Sequence, residues 1–194
     1  MKYIIVGLLV FSMFAMAGEP KSPEIGSQVP SFVLKNYDGK EYNLANLEKE
    51  NKFTVLMFIS TQCPVSNGYN DRMKELYETY HGKGIAIVGI NSNTAEDVND
   101  IKEHAKEHGF KFPVLKDHQN KIADLYGAQV TPETFVIGSS GKLLYHGRID
   151  DSRRVEKIQS RDLAYALDKL LAGKEVPTAT TKAFGCSIKR AVID

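Results

Sequence analysis

The chain has 194 residues, with 25 Lys and Arg against 24 Asp and Glu and a formal net charge of +1 at pH 7. That balance supplies no basic surface for nucleic acid or for an anionic membrane. Two cysteines, Cys63 and Cys186, are too few for a disulfide scaffold, and the chain has no internal repeat, Gly-rich phosphate loop or serine-hydrolase elbow.

At the N-terminus, Lys2 is a short positive region, Tyr3 to Phe14 are apolar, and Ala15-Met16-Ala17 fits a small-residue cleavage site. The apolar stretch is shorter than the ~20 residues of a membrane span. Residues 1–17 are therefore expected to be a removable secretory signal, with no stable membrane insertion afterwards and a periplasmic or extracellular location. An uncleaved anchor is the alternative. Residues 18–28 are polar with Pro and Gly and predict a flexible leader; 29–173 predict one domain; 174–194 predict an extended arm carrying Cys186.

Within the domain, Pro30 to Leu34 alternates like a strand, and Tyr37-Asp38-Gly39-Lys40 is a turn into a second strand over 41–44, which makes a hairpin. Phe53 to Ile59 is an apolar run with the composition of a buried strand, and helical spacing follows to Tyr80. Gly84 to Ile90 is a second continuous apolar run, as in strands covered on both faces. Asn93 or Thr94 is the expected cap of a helix to about His108, stopped by Gly109. A short extended piece over 112–115 and a brief helix over 119–126 come next. Residues 134–137 and 143–146 form a second hairpin, and Ser160 to Leu171 is an amphipathic helix. Strands and helices in this order predict an α/β domain with a mixed central sheet.

Cys63 falls between the first buried strand and its helix, in Ser60-Thr61-Gln62-Cys63-Pro64-Val65-Ser66. Pro64 suits the first helical position, because its missing N–H would be unpaired there. Cys63 then stands at or beside the helix N-cap, where free N–H groups and the helix dipole favour an anion. The thiolate is the nucleophilic form of cysteine, so this is a poised sulfur. His104 and His108 have the i, i+4 spacing of helical metal ligands, but they sit in a charged run without cysteines. They are expected on a solvated face, with no metal and no cofactor.

The order of elements and the residues resemble the thioredoxin fold, and within it the peroxiredoxin-like redoxin branch (AhpC/TSA type). The resemblance is carried by Gly26-x-x-x-Pro30-x-Phe32-x-Leu34, the strand–Cys63–helix unit, Val130-Thr131-Pro132-Glu133-Thr134-Phe135-Val136-Ile137 and Gly147-Arg148-Ile149-Asp150. A Lys182-Ala183-Phe184-Gly185-Cys186-Ser187-Ile188-Lys189 tail follows, like that of a subgroup of single-motif redoxins. The resemblance implies a cis Thr131–Pro132 turn facing Cys63. It implies a thiol oxidoreductase acting on a protein or small-molecule thiol or disulfide, or on a peroxide as an antioxidant, with an external thiol reductant.

The departures from the family are informative. Ser66 takes the second place of a Cys-x-x-Cys pair, so Cys63 has no neighbouring thiol to resolve a mixed disulfide. Peroxiredoxins place Ser or Thr three residues before the peroxidatic cysteine, as Ser60 stands here, but Leu56 replaces their proline. By alignment their cysteine falls on Ser66. Cys186 is the candidate to complete a cycle if the arm folds back, since a bridge needs Cα atoms within about 7 Å. An unpaired tail cysteine and a permanent structural bridge are the alternatives. Arg148 is a candidate cation for the thiolate, or a surface residue at a strand end. Thr131 and Glu133 are candidate proton carriers, with Glu133 expected at the surface. A copper-carrying protein using Cys63 with Met73, His146 or Cys186 is a reading from another class, as is a redoxin without turnover.

Overall fold

The computed structural model describes residues 21–191, so the expected signal segment lies outside it. Seven strands form one sheet: β1 (Val33–Asn36), β2 (Glu41–Asn43), β3 (Phe53–Phe58), β4 (Ile85–Asn91), β5 (Val114–Lys116), β7 (Glu133–Gly138) and β8 (Leu143–Gly147), in the order β2-β1-β5-β4-β3-β7-β8. β3, β4 and β5 run parallel, while β1, β2, β7 and β8 pair antiparallel, so the sheet is mixed as expected. The two remaining strands, β6 (Val130–Thr131) and β9 (Cys186–Ser187), make a separate two-stranded ribbon.

The continuous apolar runs follow from covering both faces. Side chains alternate along a strand, so Val55 and Met57 of β3 join one core with Met73, Leu76, Ile101, Ala105, Leu163 and Leu167. Leu56 and Phe58 join the other with Leu44, Val88, Ile122, Tyr126 and Phe135. The first core lies under α3 (Asn70–Tyr80), α4 (Val98–Glu107) and α6 (Asp162–Leu171), and the second under α1 (Leu44–Glu50) and α5 (Lys121–Tyr126). Each Val, Leu, Ile, Met or Phe among them contributes roughly 1.5–3 kcal/mol by leaving water. Among the described residues, no helix is long and apolar enough to cross a membrane.

Several elements differ from expectation. α1 follows β2 directly, capped by Asn43, whose Oδ1 accepts from the Ala45 N–H at 2.9 Å. It buries only Leu44, so it leaves almost no helical period in the sequence. The helix after Cys63 is broken into α2 (Pro64–Asn67) and α3. The break is filled by Arg72, whose Nη2 donates to the Gly68 carbonyl at 2.9 Å. α4 is capped by Asp97, not by Asn93 or Thr94: Asp97 and Asp100 bond one another's backbone N–H in a capping box. Asn93 is committed elsewhere, as described below.

The segment before β1 and the arm after α6 both reach the sheet near β8. Gly26 N–H donates to Leu143 O at 2.7 Å, and Val29 N–H donates to Gly141 O at 3.0 Å, so the β7–β8 turn is lined by residues just before β1. The arm runs back along β8 and crosses to β6.

Candidate active site

β3 ends at Phe58 and hands the chain to a loop built by its own hydroxyls. Ser60 Oγ accepts from the N–H of Gln62 at 3.2 Å and of Cys63 at 2.9 Å, which folds the loop into a tight turn. Ser66 Oγ accepts from the Ser60 N–H at 3.2 Å, tying the start of α2 to the end of β3. Cys63 is the N-cap of α2, with Pro64 at the first helical position. The Ser66 N–H points at Cys63 Sγ, 3.3 Å away. With α2 only four residues long, this one directed N–H, more than a long helix dipole, is what the backbone offers a Cys63 thiolate.

The second layer was not anticipated. Glu96, 2% exposed, lies in the connection between β4 and α4 and accepts five hydrogen bonds. Their donors are Ser60 Oγ at 2.6 Å, Thr61 N–H at 2.7 Å, Thr61 Oγ1 at 2.9 Å, Asn91 Nδ2 at 2.5 Å and Asn93 Nδ2 at 2.6 Å. Burial pushes its pKa up, but the Ser60 and other donors outweigh burial and hold it below the ordinary carboxylate value. Lys116 Nζ lies beneath, donating to Asn91 Oδ1 and to the carbonyls of Asn93 and Glu96. Burial lowers its pKa, against the opposing pull of Glu96 and Asp117. Buried carboxylate and ammonium together fix the Cys63 loop from below. β3 itself carries no acid; Glu96 reaches the loop from the connection that follows β4, the neighbouring parallel strand.

A visible signal pointed there: Asn91-Ser92-Asn93-Thr94-Ala95-Glu96 is a polar run ending a buried strand. β3 and β4 are parallel neighbours, so their C-terminal ends open on the same edge of the sheet.

Above Cys63 lie β6 and the arm. The Thr131–Pro132 peptide is cis, and the Thr131 carbonyl oxygen is 3.4 Å from Cys63 Sγ. β9 pairs antiparallel with β6, Thr131 opposite Cys186 and Val130 opposite Ser187. This register brings the two cysteines together in a disulfide, with Cα atoms 5.9 Å apart across a separation of 123 residues. Cys63 is 4% exposed beneath the arm. The Thr131 hydroxyl is buried without a hydrogen-bond partner.

The other candidates fall as follows. Arg148 Nε donates to Asp162 Oδ2 at 2.7 Å, so its charge is met by a carboxylate, and its N–H donates to Thr181 Oγ1 at 3.0 Å in the arm. Glu133 is buried, contrary to the surface position expected of it. It accepts from the N–H groups of Gln129 and Val130 and bonds His146 Nε2 at 2.6 Å, bracing the turn before Pro132. His104 is likewise not on a solvated face. It packs against Phe110, bonds Asn67 Oδ1 at 3.0 Å, and burial lowers its pKa to about 4. The copper set does not assemble: both sulfurs are in the disulfide, His146 is held by Glu133, and Met73 is enclosed in the core. Among the described residues, no three His, Cys, Asp or Glu side chains are grouped as metal ligands.

Residues 25–146 match the profile of the AhpC/TSA family. The chain belongs to that family. Its architecture is thioredoxin-like, and it is a thiol-dependent oxidoreductase. It is 29% identical over 142 residues to the thiol-disulfide oxidoreductase ResA of Bacillus thuringiensis (strain Al Hakam), covering 73% of this chain and 80% of that protein. Two solved structures superpose with a TM-score of 0.82. One is a hypothetical protein from Sinorhizobium meliloti 1021, 32% identical, covering 89% of this chain and 98% of that one. The other is an uncharacterized conserved protein from Geobacillus kaustophilus, 34% identical, covering 88% and 94%.

Proposed function

We propose that this redoxin is an exported thiol-disulfide oxidoreductase whose nucleophile is Cys63 and whose resolving thiol is Cys186. The observation that carries the reading is the Cys63–Cys186 disulfide, set against a cis Thr131–Pro132 peptide with the Ser66 N–H on its inner sulfur. In the reduced protein, the Ser66 N–H favours the Cys63 thiolate. That thiolate attacks one sulfur of a disulfide R–S–S–R′; the S–S bond breaks, R′S⁻ leaves, and Cys63 is joined to R. The Cys186 thiolate then attacks Cys63 Sγ, releases RS⁻ and closes the disulfide. An external thiol reductant returns both cysteines to the thiol state; without it, the exported setting expected from residues 1–17 is one in which the disulfide persists.

Each supporting residue has a part. Pro64 starts α2 so that Ser66 N–H faces the sulfur. Ser60 and Ser66 shape the loop through their hydroxyls. Thr131 and Pro132 set the wall against which the partner sulfur lies. Arg148 acts through the arm, because Asp162 meets its charge.

Peroxide reduction is the second reading, favoured by the family match. It would proceed through a sulfenic acid on Cys63, with Cys186 expelling water to form the same disulfide. The position that carries the peroxidatic sulfur in relatives is Ser66, buried and bonded to Ser60, which supports disulfide exchange over peroxidase chemistry.

The test is a competition in which the reduced protein is offered hydrogen peroxide and a small disulfide at equal concentration. Faster oxidation by the disulfide, abolished in Cys63→Ser, is the expected result. Faster oxidation by peroxide would make the protein a thiol peroxidase. Oxidation of Cys63→Ser at the wild-type rate would contradict both.

A further inference from the structure

The arm is fastened on both sides of Cys186 by bonds that involve neither sulfur. Upstream, His146 N–H donates to Ala179 O at 2.9 Å, and Thr181 N–H donates to His146 O at 3.0 Å. The Thr181 hydroxyl also bonds Tyr145 OH at 2.7 Å and accepts from Arg148 N–H. Downstream, Ile188 is buried in the core beneath α1 and α5. Lys189 N–H donates to Asn93 Oδ1 at 2.7 Å, and its carbonyl accepts from Thr94 N–H at 3.1 Å. Arg190 Nε reaches Asp124 Oδ1, and Nη2 reaches the Ala128 carbonyl. Asn93 is also a donor to Glu96, so the downstream clamp and the Cys63 loop hang on one buried carboxylate.

Between the clamps, residues 182–187 lie directly on the site. Phe184 packs edge-on against Tyr69, with ring centroids 6.4 Å apart. Gly185 lies so close to the Thr131 carbonyl that a Cβ there would overlap it. Cys186 and Ser187 occupy the hydrogen-bonding edge of β6. A short exposed strand edge is where an extended peptide adds to a sheet, and here the protein's own chain has added to it.

We propose that residues 182–187 form a strap that stays over Cys63 whether or not the disulfide is made, so that the site serves low-molecular-weight disulfides and excludes disulfides embedded in proteins. The inference rests on Cys63 being the nucleophile. A small R–S–S–R needs only a path to one sulfur, whereas a protein segment must take the β6 edge and displace the strap. The strap also keeps Cys186 at high effective concentration. The mixed disulfide Cys63–S–S–R is then resolved before a slow, bulky partner can exchange. Overall, two electrons and two protons pass from the cysteine pair to R–S–S–R, giving two R–SH.

The experiment uses Cys186→Ser, which removes the covalent link and leaves both clamps, so that adducts on Cys63 persist. Its rate of adduct formation is read by mass spectrometry with glutathione disulfide and with insulin, each normalised to the rate of free cysteine with the same disulfide. The expected normalised rate is at least tenfold higher for glutathione disulfide. Adding Gly185→Ala, which lifts the strap off Thr131, should raise the insulin rate about tenfold and change the glutathione rate less than twofold. Equal normalised rates in Cys186→Ser, or an insulin rate untouched by Gly185→Ala, would overturn the strap. Failure of both probes to form any adduct, in a protein with native circular dichroism, would overturn Cys63 as nucleophile and the strap with it.

Discussion

The two sulfurs of the disulfide are held by contrasting structures. Cys63 caps the short helix after a central strand, and its loop is tied by two serine hydroxyls and by Glu96, all nearly inaccessible to water. Cys186 lies on a two-stranded ribbon beyond the main sheet, paired over only two residues and flanked by half-buried chain. A nucleophile gains from being fixed, because its pKa and line of attack depend on a few oriented groups. In the proposed cycle Cys186 is the resolving thiol, whose bond to Cys63 forms and breaks while its support sits to either side of it.

The largest effect is expected from removing the sulfur on the ribbon. Cys186→Ser opens a loop closed over 123 residues and should lower unfolding stability under oxidising conditions by about 4 kcal/mol. Under dithiothreitol the variant and wild type should unfold within a few tenths of a kcal/mol of each other. Equal stability under both conditions would mean that the bond does not form in the folded protein.

Removing the fixed partner's support is next. Glu96→Gln leaves the shape but turns an acceptor of five bonds into a mixed donor, at a cost of about 3 kcal/mol. The same carboxylate has a sign in pH: its folded pKa is depressed, so its stabilisation is present above the unfolded value and is lost as pH falls through the folded one. Wild type should therefore lose stability through the acidic range below pH ~4.5 more steeply than Glu96→Gln, as read by urea denaturation at each pH. Parallel pH profiles would break the assignment.

His104 gives a smaller effect in a different window. Its pKa is lowered to about 4, so the unfolded chain takes up a proton first, and stability falls as pH drops from its ordinary value near 6.5 towards 4. The slope is at most about 1.4 kcal/mol per pH unit. His104→Gln should flatten the profile there and leave the Glu96 region intact. The smallest effect is expected of Arg148→Ala, because the pair with Asp162 is partly exposed and such pairs contribute about 1 kcal/mol or less. Its exchange rate with a small disulfide should stay within about threefold of wild type; a loss of a hundredfold would put its charge on the thiolate after all.

The region around Cys63 is easier to read from the sequence than the arm, though not throughout. Continuous runs such as 53–59 and 84–90 announce strands covered on both faces, and Cys63-Pro64 announces an N-cap, because these signals lie within a few residues. The cis peptide before Pro132 is implied by family resemblance, and the pairing of Cys186 with Cys63 is one of three alternatives left open by a count of two cysteines; neither has a local signature. Glu96, Glu133 and His104 were misread or missed for one physical reason. Each is a polar residue in a polar stretch, and its burial is decided by partners distant in sequence: Ser60 and Thr61 for Glu96, His146 for Glu133, Asn67 for His104. The break between α2 and α3 was hidden likewise, because Tyr69 and Met73 keep a helical spacing across it and both enter the core.

In the proposed cycle Cys63 and Cys186 form one reversible two-electron couple. Its most direct test is a redox titration of the purified protein in reduced and oxidised dithiothreitol, with alkylation and tryptic mass mapping at each point. Both thiols should appear and disappear together, linked as the Cys63–Cys186 peptide pair when oxidised and with no intermediate single-thiol state. Two thiols titrating independently, or a bridge that persists unreduced in the folded protein, would contradict it.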